Sequence, residues 1–448
     1  MPSSGTKFIT AKAINILFLK SNLKIEGLKQ SSRGREMEKT PKELFQERAG
    51  RVADAIQLKV PDRVPLEIAF GYFPAKYTGV PCEAAYYDYD QWLTACRKTV
   101  LDFGADISSV QPFFPGKVLE LVDPKDMIWP GHGTSATHQY IEDEFMKPDE
   151  YEALLGDPTD YMLRFYLPRI SGAMEPFERM PSLSSPSGGY RGALMMAEAL
   201  SIPEMASAIE RLQQAGRELY QWRSKMEAFD EEMQKLGFPP FVGSLVLAPF
   251  DTISDNLRGM KGSMLDMYRQ PDKLLETVDL ILKKMVERIM PASPGAVNTV
   301  AIPLHRGSEG FMSIKQFERF YWPTLKGLIL ALIEKGQTPL VFFEGDYTSR
   351  LEYLLELPKG RVFGHFDTTD MFQAKEVLNG HMCICGNVPC SLLQTGTPED
   401  VKAYAKKLID VCGKGGGFIM STRSPVDDVE PEPLKALIDF TIEYGVYR

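Results

Sequence analysis

Several short clusters of reactive side chains each sit just past an apolar run. Asp251 closes Ala248-Pro249-Phe250-Asp251, and His305-Arg306-Gly307-Ser308-Glu309 follows the run 297–304. Further on come Glu344-Gly345-Asp346-Tyr347, then His365-Phe366-Asp367-Thr368-Thr369-Asp370, then Gly386-Asn387-Val388-Pro389. A helix cap accounts for an isolated aspartate such as Asp251 or Asp370. It does not account for successive clusters that carry imidazole and carboxylate, because buried charge is costly without a partner, ligand or metal.

Glu344, Asp346 and His365 form the sharpest candidate. Residues 344 and 346 are two apart, so an extended segment points both to one face. His365 ends the following apolar run. One imidazole and two carboxylates suit Zn²⁺ with a position left open for substrate. They equally suit a metal-free acid/base group with the imidazole tuned by its neighbours, or an ion-pair network with Arg350, Arg361 or Arg423. The cysteines Cys383, Cys385 and Cys390 lack zinc-ribbon spacing and read as core. Gly413-Lys414-Gly415-Gly416-Gly417 precedes an apolar run instead of opening a helix, so it reads as a turn and not a phosphate cradle.

The elements that must position these residues alternate. Apolar runs at 64–70, 106–114, 242–248, 297–304, 339–344, 361–366, 382–386 and 417–421 are bounded by Gly or Pro and predict strands buried on both faces. Helical patterns lie between the later ones. Thr397 is a candidate N-cap for 401–411, which stops at Gly413, and Ser313 caps 314–333, which stops near Gly336. This βα alternation predicts a single (β/α)₈ TIM barrel of the α/β class, with polar residues past the strand C-termini as its site. An open doubly wound sheet is the rival. Residues 115–240 interrupt the alternation and are expected as a helical and loop elaboration over the C-terminal mouth.

Composition narrows the function. The chain has 448 residues, a net charge of −9 and six cysteines. The acidic balance argues against nucleic acid as a partner, no apolar run reaches membrane-span length, and the cysteine usage predicts a reducing, cytoplasmic setting. Residues 1–36 carry seven Lys/Arg against two Glu, a net of +5. They are expected as a disordered N-terminal extension before a start at Met37, with a targeting segment as the alternative. Residues 37–448 are expected to form the barrel.

Taken in order, the strand-end segments resemble the uroporphyrinogen decarboxylase superfamily. The segments that carry the resemblance are Asp62-Arg63-Val64-Pro65, Ala248-Pro249-Phe250-Asp251, Gly386-Asn387-Val388-Pro389, Gly396-Thr397-Pro398-Glu399-Asp400-Val401 and Gly415-Gly416-Gly417-Phe418-Ile419. The resemblance covers roughly residues 40–446 and implies a barrel with a deep cleft. It also implies either porphyrinogen decarboxylation or methyl transfer between small molecules and corrinoid proteins or thiols. Decarboxylases of the family bind substrate carboxylates with arginines after the first strand. Here that place reads Phe70-Gly71-Tyr72-Phe73-Pro74-Ala75-Lys76-Tyr77, with no arginine. Thiol methyltransferases carry a His-Xaa-Cys pair after the fifth strand and a Cys after the eighth; here Glu344-Gly345-Asp346 and Ser421-Thr422-Arg423-Ser424 stand there.

Oxygen and imidazole ligands make a harder Lewis acid, suited to an ether oxygen. The resemblance therefore implies a methyltransferase that moves a methyl group from a small O-methyl compound to a cobamide carried by a corrinoid protein. Glu344, Asp346 and His365 would hold zinc or protonate the leaving oxygen, with Asp251 beside them. Tyr72, His305, Arg306, Glu309, Asp367, Asn387 and Arg423 would bind substrate. The alternative enzyme is a metal-free decarboxylase or lyase acting on a smaller substrate, with Asp251 or Asp367 facing a cationic intermediate. The non-enzymatic alternative is a corrinoid-binding scaffold.

Overall fold

The computed structural model describes residues 39–447 apart from 111–112, 135, 184–188 and 294–297. The expected N-terminal extension and most of the Ser/Gly-rich stretch 181–189 of the sequence lie outside the described residues. Eight parallel strands fall inside the eight apolar runs, give or take a residue at one end: β1 (Glu67–Phe70), β2 (Ile107–Val110), β3 (Ser244–Leu245), β4 (Thr299–Leu304), β5 (Thr338–Phe343), β6 (Phe363–Phe366), β7 (Cys383–Cys385) and β8 (Phe418–Ile419). Strands β8-β7-β6-β5-β4-β3 form one parallel ladder and β1-β2 another. Parallel bridges Leu66 to Met420 and Phe70 to Val426 join β1 to the β8 end. The order is thus β2-β1-β8-β7-β6-β5-β4-β3, an α/β fold on a parallel sheet. No ladder joins β2 to β3 among the described residues, although Ile107 and Phe241 from those two edges pack in one apolar cluster.

Strand parity divides the core. Val341, Phe343, Phe366, Ile384 and Phe418 pack with the helices in the larger cluster. Their alternates Leu340, Phe363, Cys383, Cys385 and Ile419 form the inner cluster, with Phe342 against it. Register aligns these inner residues across strands: Phe342 with His365, and His365 with Cys385. Helix α1 (Pro41–Ile56) supplies Val52 and Ala55 to this cluster.

The helix signals hold. Thr397 and Asp400 make a reciprocal capping box for Pro398–Cys412, with Gly413 as C-cap. Ser313 and Gln316 do the same for the helix that runs to Glu334. That helix widens into a π turn at Phe317–Tyr321, just before Pro323, which has no N–H for the preceding turn. The 115–240 segment holds three short strands and the long helix α2 (Pro203–Lys235). Its His138 reaches Tyr72 past β1, and its Glu142 lies 3.7 Å from Arg306 past β4. Among the described residues no helix is long and apolar enough to cross a membrane.

At the opposite end from these loops, Asp106 is fully buried before β2. It accepts from Arg51 Nη1 of α1 (2.5 Å), from Arg63 Nη1 and Nη2 (2.7 and 2.8 Å) and from the Leu66 backbone (2.9 Å). Burial alone would raise its pKa, but the two guanidiniums outweigh it and the carboxyl falls below its usual 3.8. A depressed pKa contributes stability above the unfolded value that is lost as pH falls through the folded one. Asp106→Asn is therefore expected to cost about 3–5 kcal/mol, because it leaves buried guanidiniums uncompensated. Its acid limb below pH 3.8 should be flatter than the wild type's in urea melts across pH.

Candidate active site

The inner parity continues past the strand C-termini and collects the polar candidates. Glu67 on β1, His305 past β4, Glu344 past β5, His365 and Asp367 at β6, Cys385 at β7, and Ser421 and Arg423 past β8 all fall on inner-face positions of their strands. They form two groups.

The deeper group is Glu67, His365 and Cys385. One ligand atom from each lies within 4.8 Å of the other two, and all three residues are buried. The Thr422 carbonyl, which can only accept, sits 2.8 Å from His365 Nε2. That nitrogen therefore carries a hydrogen and donates it to the carbonyl. Ser421 Oγ donates to Glu67 Oε2 at 2.6 Å and fixes the carboxylate. Burial holds the Cys385 thiol well above its ordinary pKa, and Glu67 adds to this. A metal would reverse that preference, since coordination deprotonates a thiol.

The outer group surrounds His305. Its Nδ1 lies 2.5 Å from Asp255 Oδ2, and its Nε2 lies 3.6 Å from Glu344 Oε1. Asp251 is completely buried beneath. Its carboxyl accepts from the backbone N–H of His305 (2.9 Å) and of Arg306 (3.1 Å), and from the Tyr321 hydroxyl (2.6 Å). Burial pushes Asp251 up to about 7, against the pull of these donors. Arg306 donates to Ser254 Oγ (2.8 Å) and pairs with Asp255 (3.2 Å). Burial raises Glu344, as do Asp367 and Asp255, while His305 pulls it down.

The other candidates brace loops. Gly345, at φ +89°, turns the chain after Glu344. Asp346 is then exposed and accepts from Thr348 N and Oγ1 (2.9 and 2.5 Å). Glu309 accepts from Ser349 N (2.7 Å), and both acids line an open surface groove with Asp370, which caps the next helix. Asp367 accepts from Gly345 N (3.0 Å). Asn387 donates to the Asp367 and Thr369 carbonyls (2.9 and 3.0 Å) and accepts from Tyr404 (3.2 Å). A Cβ on the preceding Gly386 would sit 2.6 Å from the Phe366 carbonyl, so only glycine fits there. Arg423 reaches the Tyr404 hydroxyl, and its buried Nε has no hydrogen-bond partner. Tyr72 is buried, stacked on Phe113 at 4.3 Å, with its hydroxyl 2.8 Å from Tyr86 and 3.0 Å from His138.

Glu344, Asp346 and His365 are thus distributed over the outer group, the rim and the deeper group. Glu67 and Asp255 were not among the sequence candidates. A lone glutamate between Leu66 and Ile68 in an apolar run was the available signal for Glu67. Asp255 had none, because its role depends on a π turn at Ile253–Leu257.

A parallel α/β fold with its polar groups at the strand C-termini is the arrangement of barrel enzymes. The uroporphyrinogen decarboxylase (URO-D) family model matches residues 202–444, more than half the chain, and the chain belongs to that family. Among solved structures, a methyltransferase from Methanosarcina mazei superposes with a TM-score of 0.54 at 14% identity, over 88% of this chain and 98% of that one. No curated protein matches the sequence.

Asp251→Asn is expected to destabilise the protein by about 1–3 kcal/mol, since an amide can accept from only one side and leaves a buried N–H without a partner. Urea denaturation at pH 8 measures this, and an unchanged midpoint would show that the three contacts carry no stability.

Proposed function

We propose that the chain is a methyltransferase of the URO-D family that moves a methyl group from a small O-methyl compound to the cobalt of a corrinoid carried by a separate protein. The reading takes the eight strands as a closed (β/α)₈ barrel, with 115–240 over its mouth. The observation that carries it is the donor group of Glu67, His365 and Cys385. Three converging protein ligands of mixed O, N and S type are the donor set that catalytic zinc sites use. The carboxylate of Glu67, fixed by Ser421, fits that use, and Glu344 and Asp346 are left outside it. Bound there, zinc supplies Lewis acidity toward an ether oxygen.

The cationic side of the cleft supports the same reading. A polycarboxylate substrate needs free guanidiniums after β1, but that segment offers Lys76, which is already paired with Asp428 (2.5 Å) and Glu430 (2.9 Å). Tyr72 there is enclosed by aromatic rings, and its deprotonation is pushed up to about 12 by burial. One solved structure it resembles is itself a methyltransferase. The lyase alternative asks Asp251 or Asp367 to face a cation, yet both direct carboxylate oxygens at backbone N–H groups.

In this reading Arg423 and Asn387 line one side of the substrate cleft, and His305 and Glu344 line the other. The purified protein is expected to hold about one zinc per chain, and His365→Ala and Cys385→Ser should each lower the occupancy at least tenfold while Asp346→Asn leaves it unchanged. Methyl transfer from a panel of aryl and alkyl methyl ethers to reduced cobalamin, followed by its absorbance, tests the reaction. Release of carboxylate instead of methyl from the same panel would overturn it.

A further inference from the structure

We propose that His305 is the proton donor for the leaving oxygen in this site, and that Asp255 is the positioning residue that orients it. The proposal rests on the methyl-transfer reading above and deepens it.

The geometry is that of an oriented imidazole. Asp255, as a carboxylate, can only accept, so the 2.5 Å contact puts a hydrogen on His305 Nδ1. The other nitrogen, Nε2, then faces the mouth. The acid nearest to it, Glu344, stands 3.6 Å away, beyond hydrogen-bond distance. Both side chains are open to the cleft, at 27% and 41% exposure. A substrate oxygen can therefore enter beside Nε2 without displacing a protein hydrogen bond.

The ring cannot easily turn away. Its backbone N–H is held by the buried Asp251, and Asp255 is held by Arg306, which is itself tied to Ser254. Inner-face parity places His305 and Glu344 one layer above Phe342 and His365, about 7 Å along the strands. That separation sets the outer imidazole one layer above the deeper donor group.

The charges around the ring point the same way. Burial disfavours the imidazolium, but Asp255, Glu344 and Asp251 outweigh it and hold His305 above its ordinary 6.5. Arg306 is the nearby cation and is paired with Asp255. Glu344 in turn feels Asp367 and Asp255, which favour its neutral form.

The step balances. The bond between the ether oxygen and the methyl carbon breaks, and its electron pair stays on oxygen. The methyl carbon bonds to the reduced corrinoid acceptor. The proton on His305 Nε2 moves to the oxygen, giving an alcohol or phenol and a neutral imidazole, while Asp255 stays ionised. Solvent at the open mouth then returns a proton to Nε2.

The test uses the full chain with its metal. A series of methyl ethers whose leaving groups run from acidic phenols to alkyl alcohols is turned over by wild type, His305→Gln and Asp255→Asn. For basic leaving groups His305→Gln is expected to lose about 10²–10⁴-fold in kcat/KM, and for the most acidic phenols less than tenfold. Asp255→Asn should follow the same trend with smaller losses, and zinc content should be unchanged in both. The chain has five histidines, so ring-nitrogen NMR can follow each one. His305 should titrate above 6.5 in the wild type and at least one pH unit lower in Asp255→Asn. A uniform loss across the ethers overturns the assignment of His305, and so does a His305 titration that Asp255→Asn does not move. Absence of transfer by the wild type across the whole series overturns the methyl-transfer reading itself, which is a separable result.

Discussion

The placement of the site depends on one buried carboxylate at the far end of the strands. Asp106 binds two guanidiniums and one backbone N–H, and so ties α1, the segment before β1 and the start of β2 to a single point. A buried ion cluster of this type adds little net stability over an apolar replacement. Its strength is geometric, because no shifted register satisfies all its donors at once. The Leu66 N–H that Asp106 holds is one residue before Glu67, whose own N–H bonds to Met420. The height of Glu67 beside His365 and Cys385 is therefore set from below, by charges that never see a ligand.

From that anchor the period of two carries the information upward. Each inner strand position packs apolar side chains in the middle of the fold, then turns polar within a residue or two of the strand end. Cys383 and Cys385 show the transition on one strand: both pack in the inner cluster, and the second also joins the donor group. Where a positive-φ glycine intervenes, the parity ends. Gly345 is such a point, and it explains why Asp346 caps the Thr348 turn on the rim even though it keeps the numerical spacing of Glu344.

This marks how much of the protein was legible in the sequence. The eight runs and the caps at Thr397 and Ser313 depend on local chemistry and were readable. Strand ends were not, since apolar residues continue into loops; β3 keeps only Ser244–Leu245 of the run 242–248, between Pro240 and Pro249. His305, Glu344 and His365 were identifiable because each is a reactive group just past an apolar run. Their partners were not. Asp255 meets His305 across 50 residues and Glu67 meets His365 across nearly 300, and contacts of that range leave no periodic trace in one sequence.

Two buried aspartates show why one end of the strands is scaffold and the other is site. Asp106 and Asp251 are both fully buried and each accepts several hydrogen bonds. Asp106 is pushed below its ordinary pKa, because its partners are guanidiniums; Asp251 is pushed up to about 7, because its donors are two backbone N–H groups and a tyrosine hydroxyl. Neutral donors do not offset the desolvation of a charge as cations do. The same shortage extends across the mouth. Asp251, Asp255, Glu344 and Asp367 gather there, and Arg306 is already engaged with Asp255 and Ser254. Acids gathered this way around His305 favour its imidazolium.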